Sequence, residues 1–262
     1  MGSASREALA SARGVLEGTS SDARAAADVL STARVLSENP ALLSALADAT
    51  ADSGATIALV SRLFGQSAAP EALPVIEAVV SSRWSSSAEL VDGLEEIGLR
   101  AYARTSDARV LSAELLSVGR AIASDPELEL ALGSRLGDPA AKAVLVERLF
   151  SGRVSDAAVA VTAHLVRSPR GRRTRALLVH AARIVADQAG RLVAEVRAAA
   201  PLDDDQSARL AAELGTSYGR AVDLDVVVDP SLLGGLRVEI AGDVIDGSVS
   251  TRISELRQKL AG

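Results

Sequence analysis

The sequence predicts a mainly α chain with a small α+β C-terminal domain: two tandem helical bundles followed by a β-α-β-β-α domain. Three observations lead there. Apolar residues recur at helical spacing over most of the chain, blocks of residues repeat at one fixed offset, and after Leu192 the pattern turns to strand-like alternation. The boundaries drawn from them are residues 1–85 for an additional bundle, 86–190 for a second bundle and 191–262 for the α+β domain.

Composition agrees with that class. The 262 residues are 48% hydrophobic but only 2% aromatic, so Ala, Leu and Val must build the cores, by close approach of helices rather than by large rings. There is no cysteine, which excludes disulfides and thiolate chemistry. Lys and Arg number 28 against 34 Asp and Glu, a formal charge of −6 that makes a phosphate backbone a poor partner. Apolar runs such as Ile57 to Val60 fall far short of the roughly 20 residues that cross a bilayer. The first residues, Met1 to Arg6, lack the apolar core of a signal peptide and read as unprocessed.

In the first bundle, Leu30, Ala33 and Leu36 share a helical face, as do Ile57, Val60 and Phe64. Glu38-Asn39-Pro40-Ala41-Leu42 returns as Ser124-Asp125-Pro126-Glu127-Leu128, and Leu59-Val60-Ser61-Arg62-Leu63-Phe64 as Leu145-Val146-Glu147-Arg148-Leu149-Phe150. Both pairs stand 86 positions apart. Val79 to Arg83 and Leu165 to Pro169 keep the same register, each ending a helix in a polar connector. Duplication of a small bundle explains this better than a solenoid, whose repeats are shorter and more numerous. Asn39 and Asp125 each precede a proline suited to the first helical turn and are expected to cap it. A long helix from Leu90 to Tyr102 joins the copies.

The last domain begins with a strand at Leu192 to Arg197, ended by Pro201. Asp203-Asp204-Asp205 then opens a helix through Leu210 and Leu214, with acids at the positive end of its dipole. Two strands follow, marked by Val222, Leu224, Val226, Val228 and by Leu236, Val238, Ile240. A final helix from Ser248 to Leu260 aligns Val249, Ile253, Leu256 and Leu260, with Asp246 or Ser248 as its cap and Gly247 supplying any positive φ.

Motifs for chemistry are sparse. His164 and His180 are the only histidines, lie on separate predicted helices and have no metal-ligand spacing. There is neither a Gly-x-Ser-x-Gly elbow nor a phosphate-binding Gly-x-x-x-x-Gly-Lys loop. A hydrolase using a serine with either histidine is retained only as a control. Arg167, Arg170, Arg172, Arg173 and Arg175 form a solvated connector or meet an acidic protein partner, the connector being favoured. Trp84, in the matching connector of the first copy, is a packing plug or an interface anchor.

The run VDLDVVVDPSLLGGLRVEI from Val222 to Ile240, followed by DVIDGSV from Asp243 to Val249, closely resembles the signature of ATP synthase delta subunits, relatives of the mitochondrial oligomycin-sensitivity-conferring protein. Asp229, Pro230, Leu233, Gly234, Gly235, Asp246, Gly247 and Ser248 stand in that family's order and spacing and are expected to shape the backbone. Together with the second bundle, the resemblance covers about residues 105–262. The family commonly has Gly directly after the strand that ends here at Ile240, whereas this chain has Ala241 and then Gly242, which shifts the expected turn by one residue. The additional bundle resembles the lengthened form of actinobacterial members, some of whose relatives fuse it to a b-type stalk subunit.

That resemblance implies a non-catalytic stator, or peripheral stalk, subunit of an F-type ATP synthase, coupling proton transport to ATP synthesis. Its implied partners are the N-termini of alpha and the b or b-type stalk subunits, without nucleic acid and without direct membrane insertion. It implies a peripheral position on the cytoplasmic face of the cell membrane. No catalytic, cofactor-binding or metal-binding residues are expected, and no cofactor. The alternative reading is a helical scaffold or adaptor outside the synthase.

Overall fold

The computed structural model describes residues 1–48, 50, 52–134 and 136–247. The chain divides into two compact units, Met1–Gln188 and Ala189–Gly262.

Among the described residues of the first unit, the regular elements are all helices, with one isolated β-bridge between Ser151 and Val154. It contains α1 (Ser3–Gly18), α2 (Ala23–Glu38), α3 (Pro40–Leu46), α4 (Ser53–Phe64), α5 (Ala72–Val80), α6 (Ser87–Thr105), α7 (Ala108–Ala123), α8 (Pro126–Gly133), α9 (Pro139–Phe150), α10 (Asp156–Arg167) and α11 (Thr174–Gln188). Short polar side chains start most of these helices. Asp22, Asp52, Ser86, Asp107, Asp125, Asp138 and Ser155 each accept a bond from an otherwise orphaned first-turn N–H. Asn39 departs from expectation: its amide donates back to the Val35 carbonyl at 2.7 Å, closing α2 instead of opening α3.

The sequence repeat has a three-dimensional counterpart. Moved by 86 positions, Pro40–Leu46 falls on Pro126–Gly133, and Ser53–Phe64 coincides with Pro139–Phe150. Their caps correspond as well, Asp52 to Asp138. Even one long-range hydrogen bond recurs. The Asp28 carboxylate accepts from the Ala69 N–H at 2.8 Å, and 86 positions on, Glu114 accepts from the Ser155 N–H at 3.0 Å. Packing follows the same rule, since α2 lies on α6 as α7 lies on α11, and α5 on α4 as α10 on α9.

In that correspondence α6 matches α1 at one end of the repeat and α11 at the other, so it serves as the sixth helix of one copy and the first of the next. A helix with two sets of neighbours cannot keep a polar face. Accordingly α6 buries residues around its whole circumference, including Leu90, Val91, Leu94, Ile97, Leu99 and Tyr102. Two glycines permit the close approach. A Cβ at Gly93 would stand 2.0 Å from the Trp84 ring, and one at Gly98 would stand 2.5 Å from Leu30.

The second unit holds β1 (Leu192–Ala198), α12 (Asp204–Tyr218), β2 (Val222–Val228), β3 (Leu236–Ile240) and β4 (Asp243–Asp246). The sheet order is β2-β1-β3-β4. β1 and β2 are parallel, joined through α12, while β3 runs antiparallel to both β1 and β4. Asp203 and Gln206 form a reciprocal capping box at the start of α12. Ala194, Val196, Val222, Val238 and Ile240 form one core with Leu214 of α12, and Leu202, Leu210 and Tyr218 pack against it. The predicted mainly α architecture with a small α+β end is thus observed.

Two local points differ from expectation. β4 was not anticipated, because four residues that all remain exposed carry no buried alternation to read. Gly247 takes no positive φ; its N–H donates to the Leu236 carbonyl at 2.9 Å, and a Cβ would stand 3.3 Å from that oxygen. The expected helix from Ser248 to Leu260 lies outside the described residues.

The turn between β3 and β4 consists of Ala241 at φ 52° and Gly242 at φ 93°, since Ile240 faces Asp243 across it. Two successive positive φ values define the hairpin turn for which Asn-Gly is preferred, and an alanine there is strained by about 1–2 kcal/mol. Ala241→Gly should relieve most of that strain and give back part in chain entropy, a net gain of about 1 kcal/mol. Hydrogen exchange at the amides of residues 240–244 should slow roughly fivefold; unchanged or faster exchange would contradict it.

Candidate functional site

Of the residues singled out in the C-terminal run, Asp229, Pro230, Leu233, Gly234 and Gly235 form a pinned loop between β2 and β3. The Asp229 carboxylate accepts from the Ser231 N–H at 3.0 Å and from its hydroxyl at 2.6 Å, which holds the acid below the usual carboxylate range. Asp229 N–H donates to the Ala198 carbonyl, and Leu232 N–H to Asp229, so Pro230 sits inside a closed turn. Gly234 and Gly235 then run at φ 152° and 82°, a path that only glycine follows without strain, and Ala199 N–H bonds Gly235 O at 3.2 Å. Asp246 faces Arg237 across β4 and β3. Leu233, at the tip of the loop, keeps 80% of its surface exposed. Ser248 lies outside the described residues.

His164 projects from α10 and His180 from α11. The His164 Nε2 is 3.5 Å from Glu95, and its side chain is only 10% exposed. Burial, reinforced by Arg34 and Arg167, pushes its pKa down to about 4. His164 is therefore neutral at physiological pH. Because the folded value lies below the ordinary 6.5, the folded state resists protonation. Its stability is complete above pH 6.5 and is lost as pH falls toward 4. At about 1.36 kcal/mol per pKa unit, the loss amounts to about 3 kcal/mol. His164→Gln should remove most of that slope in urea unfolding between pH 6.5 and 4.5; an unchanged slope would show that other groups carry it.

Arg170, in the connector after α10, pairs with Asp92 at 2.6 Å and with Glu95, both on α6, so it acts within the chain. Its side chain is 26% exposed. Trp84 proves to be a packing plug: it is 8% exposed, donates from Nε1 to the Val79 carbonyl at 2.7 Å and covers Gly93. Among the described residues there is no group of three or more His, Asp or Glu able to hold a metal ion, and no helix long and apolar enough to cross a membrane.

What the surface does offer is large apolar side chains. In the helical unit, Val110, Leu130, Leu136 and Val144 are 48%, 73%, 98% and 42% exposed. The duplication supplies an internal comparison, because the matching positions of the first copy are Arg24, Ser44, Thr50 and Ala58. Same fold, different surface: the second copy has the apolar side chains that a protein partner would cover. Among the described residues of the first copy, Leu63 on α4, 47% exposed, and Met1, 52% exposed, are the exceptions. In the second unit Val228, Leu233, Val244 and Ile245 are exposed. Val110, Leu130 and Val144 were missed in the sequence because an apolar residue at helical spacing reads as core. Aligning the two copies position by position would have flagged them.

Comparison with known proteins gives one consistent picture. The family model described as ATP synthase delta (OSCP) subunit matches residues 99–260. The chain is 47% identical to the ATP synthase subunit delta of Leifsonia xyli subsp. xyli, with 100% of both chains covered. It is 38% identical to the protein of that name from Streptomyces avermitilis over 98% of both chains, and 38% identical to that of Acidothermus cellulolyticus over 100% of both.

Proposed function

Because the chain belongs to the ATP synthase delta (OSCP) subunit family, we propose that it is a stator adaptor, a non-catalytic subunit that ties the alpha/beta head of an F-type ATP synthase to the membrane-anchored b subunits. The observation that carries this reading is the full-length correspondence, in which a 47% identical delta subunit aligns from end to end, first copy included. The work asked of such a joint is mechanical. It must hold the head still against rotor torque, which favours stiff helices and wide contacts, at or above the roughly 1,600 Å² of a standard interface.

The partners are the N-terminal helices of alpha and the distal ends of b or b-type chains. Ala-rich bundles suit helix-in-groove binding, since small side chains leave shallow channels for an amphipathic guest. Within this reading, residues 1–85, 86–190 and 191–262 act as three modules. The second takes alpha with the help of Val110, Leu130, Leu136 and Val144, the third grips b, and the first lies along the stalk. The subunit sits peripherally, at the cytoplasmic face of the cell membrane.

Co-purification tests the reading: a tagged chain should bring down alpha and b and show no ATP turnover alone, whereas a complete synthase isolated without the chain would refute it. The placement of the first module is tested by cross-linking. The chain has no cysteine, so single-cysteine variants carry no background. A photo-cross-linker at Leu63→Cys should label b; exclusive labelling of alpha would overturn that placement.

A further inference from the structure

The shared helix carries a partly buried ionic cluster, centred on Arg100 and Glu96, that the repeat does not account for. Arg100, its side chain 5% exposed, reaches Glu96 one turn earlier on α6, with Nε at 3.0 Å and Nη2 at 2.9 Å. The same guanidinium reaches the last turn of α11, bonding Asp187 Oδ2 at 2.8 Å and Gln188 Oε1 at 3.2 Å. Glu96 in turn is bonded by Arg13 of α1. Arg104, a turn further along α6, donates to the carbonyls of Glu17 and Thr19 where α1 ends. One chain of charge-assisted bonds therefore crosses α1, α6 and α11.

The three helices are equivalents of one another under the 86-residue repeat, which makes the cluster's uniqueness informative. Where α6 has Glu96 and Arg100, α1 has Ala10 and Gly14, and α11 has Ala182 and Ala186. Only the helix common to both copies carries the pair. A buried ion pair is a poor source of stability, because well-packed apolar side chains in its place are often neutral or better; what it provides is a fixed geometry. Gln188, one of the groups held, is the final residue of the helical unit, after which the chain passes into the C-terminal unit.

We propose that Arg100 is a positioning residue that locks the end of α11, where the chain leaves the helical unit, to the helix shared by both copies and through Glu96 to α1. The extra copy is then part of the route by which load applied to the C-terminal unit is received. That consequence rests on the stator reading, whereas the lock itself is a property of the isolated chain and is tested there, so the two can fail separately.

The experiment is hydrogen exchange on the full-length chain. Arg100→Leu keeps the bulk and removes every bond, and should speed exchange at residues 185–190 about tenfold while leaving α7 and β1 to β3 unchanged. Arg100→Lys keeps the charge but cannot span both acceptors, and should give an intermediate acceleration of about threefold. Unchanged exchange at 185–190 in Arg100→Leu overturns the proposal. So does uniform acceleration across all helices, which would make Arg100 a general stabiliser of the bundle.

Discussion

Gly93→Val is expected to lower the thermal midpoint by roughly 6–12 °C, a loss of about 3 kcal/mol. The added Cβ would enter the space of the Trp84 ring, 2.0 Å from its nearest carbon. That ring is held in place, since its Nε1 is bonded to the Val79 carbonyl and only 8% of its surface is exposed. Either α6 withdraws from the connector or the tryptophan leaves its site, forfeiting the burial of the largest side chain in the protein. Gly14 is the control with the opposite sign. A Cβ there meets nothing within 4 Å, so Gly14→Ala should stabilise by up to about 1 kcal/mol through helix propensity alone. A Gly93→Val midpoint within 2 °C or so of the parent would mean that the plug is not part of the core.

Removal of residues 1–86 should have a larger effect still. The family model matches only residues 99–260, as though 87–262 could fold alone. The structure argues otherwise, because α6 is packed by α1, α2 and α5 as well as by α11. Leu90, Leu94 and Ile97 are fully buried and lie within a helical turn of Gly93 and Gly98, which touch the first copy. Exposing three such side chains at roughly 1.5–3 kcal/mol each uses up stability comparable with the roughly 5–15 kcal/mol of a whole domain. The truncated chain is expected to self-associate or aggregate in light scattering. A soluble monomer with the parent's thermal midpoint would contradict the shared-helix packing.

Much of this architecture was legible in the sequence for identifiable reasons. Helical stripes such as Leu30, Ala33 and Leu36 are long and periodic, and the strands around Val196, Val226 and Val238 have one buried face, so period and register are both recorded in residue type. The turn formed by Asp229, Gly234 and Gly235 is local, and its chemistry is set by neighbours in the chain. Contacts that close over long separations were not legible. Trp84 on Gly93, Arg170 on Asp92 and Arg100 on Asp187 depend on which helices become neighbours, and residue spacing alone does not say that. The doubled duty of α6 was concealed for the same reason: a helix joining two bundles and a helix belonging to both have similar patterns.

The stator role is tested most directly on membranes carrying the synthase. Removing this chain should leave ATP hydrolysis by the head intact while abolishing ATP-driven proton pumping, and adding the purified protein back should restore pumping. Pumping that persists at full rate in membranes shown to lack the chain would contradict its assignment as the link between head and stalk.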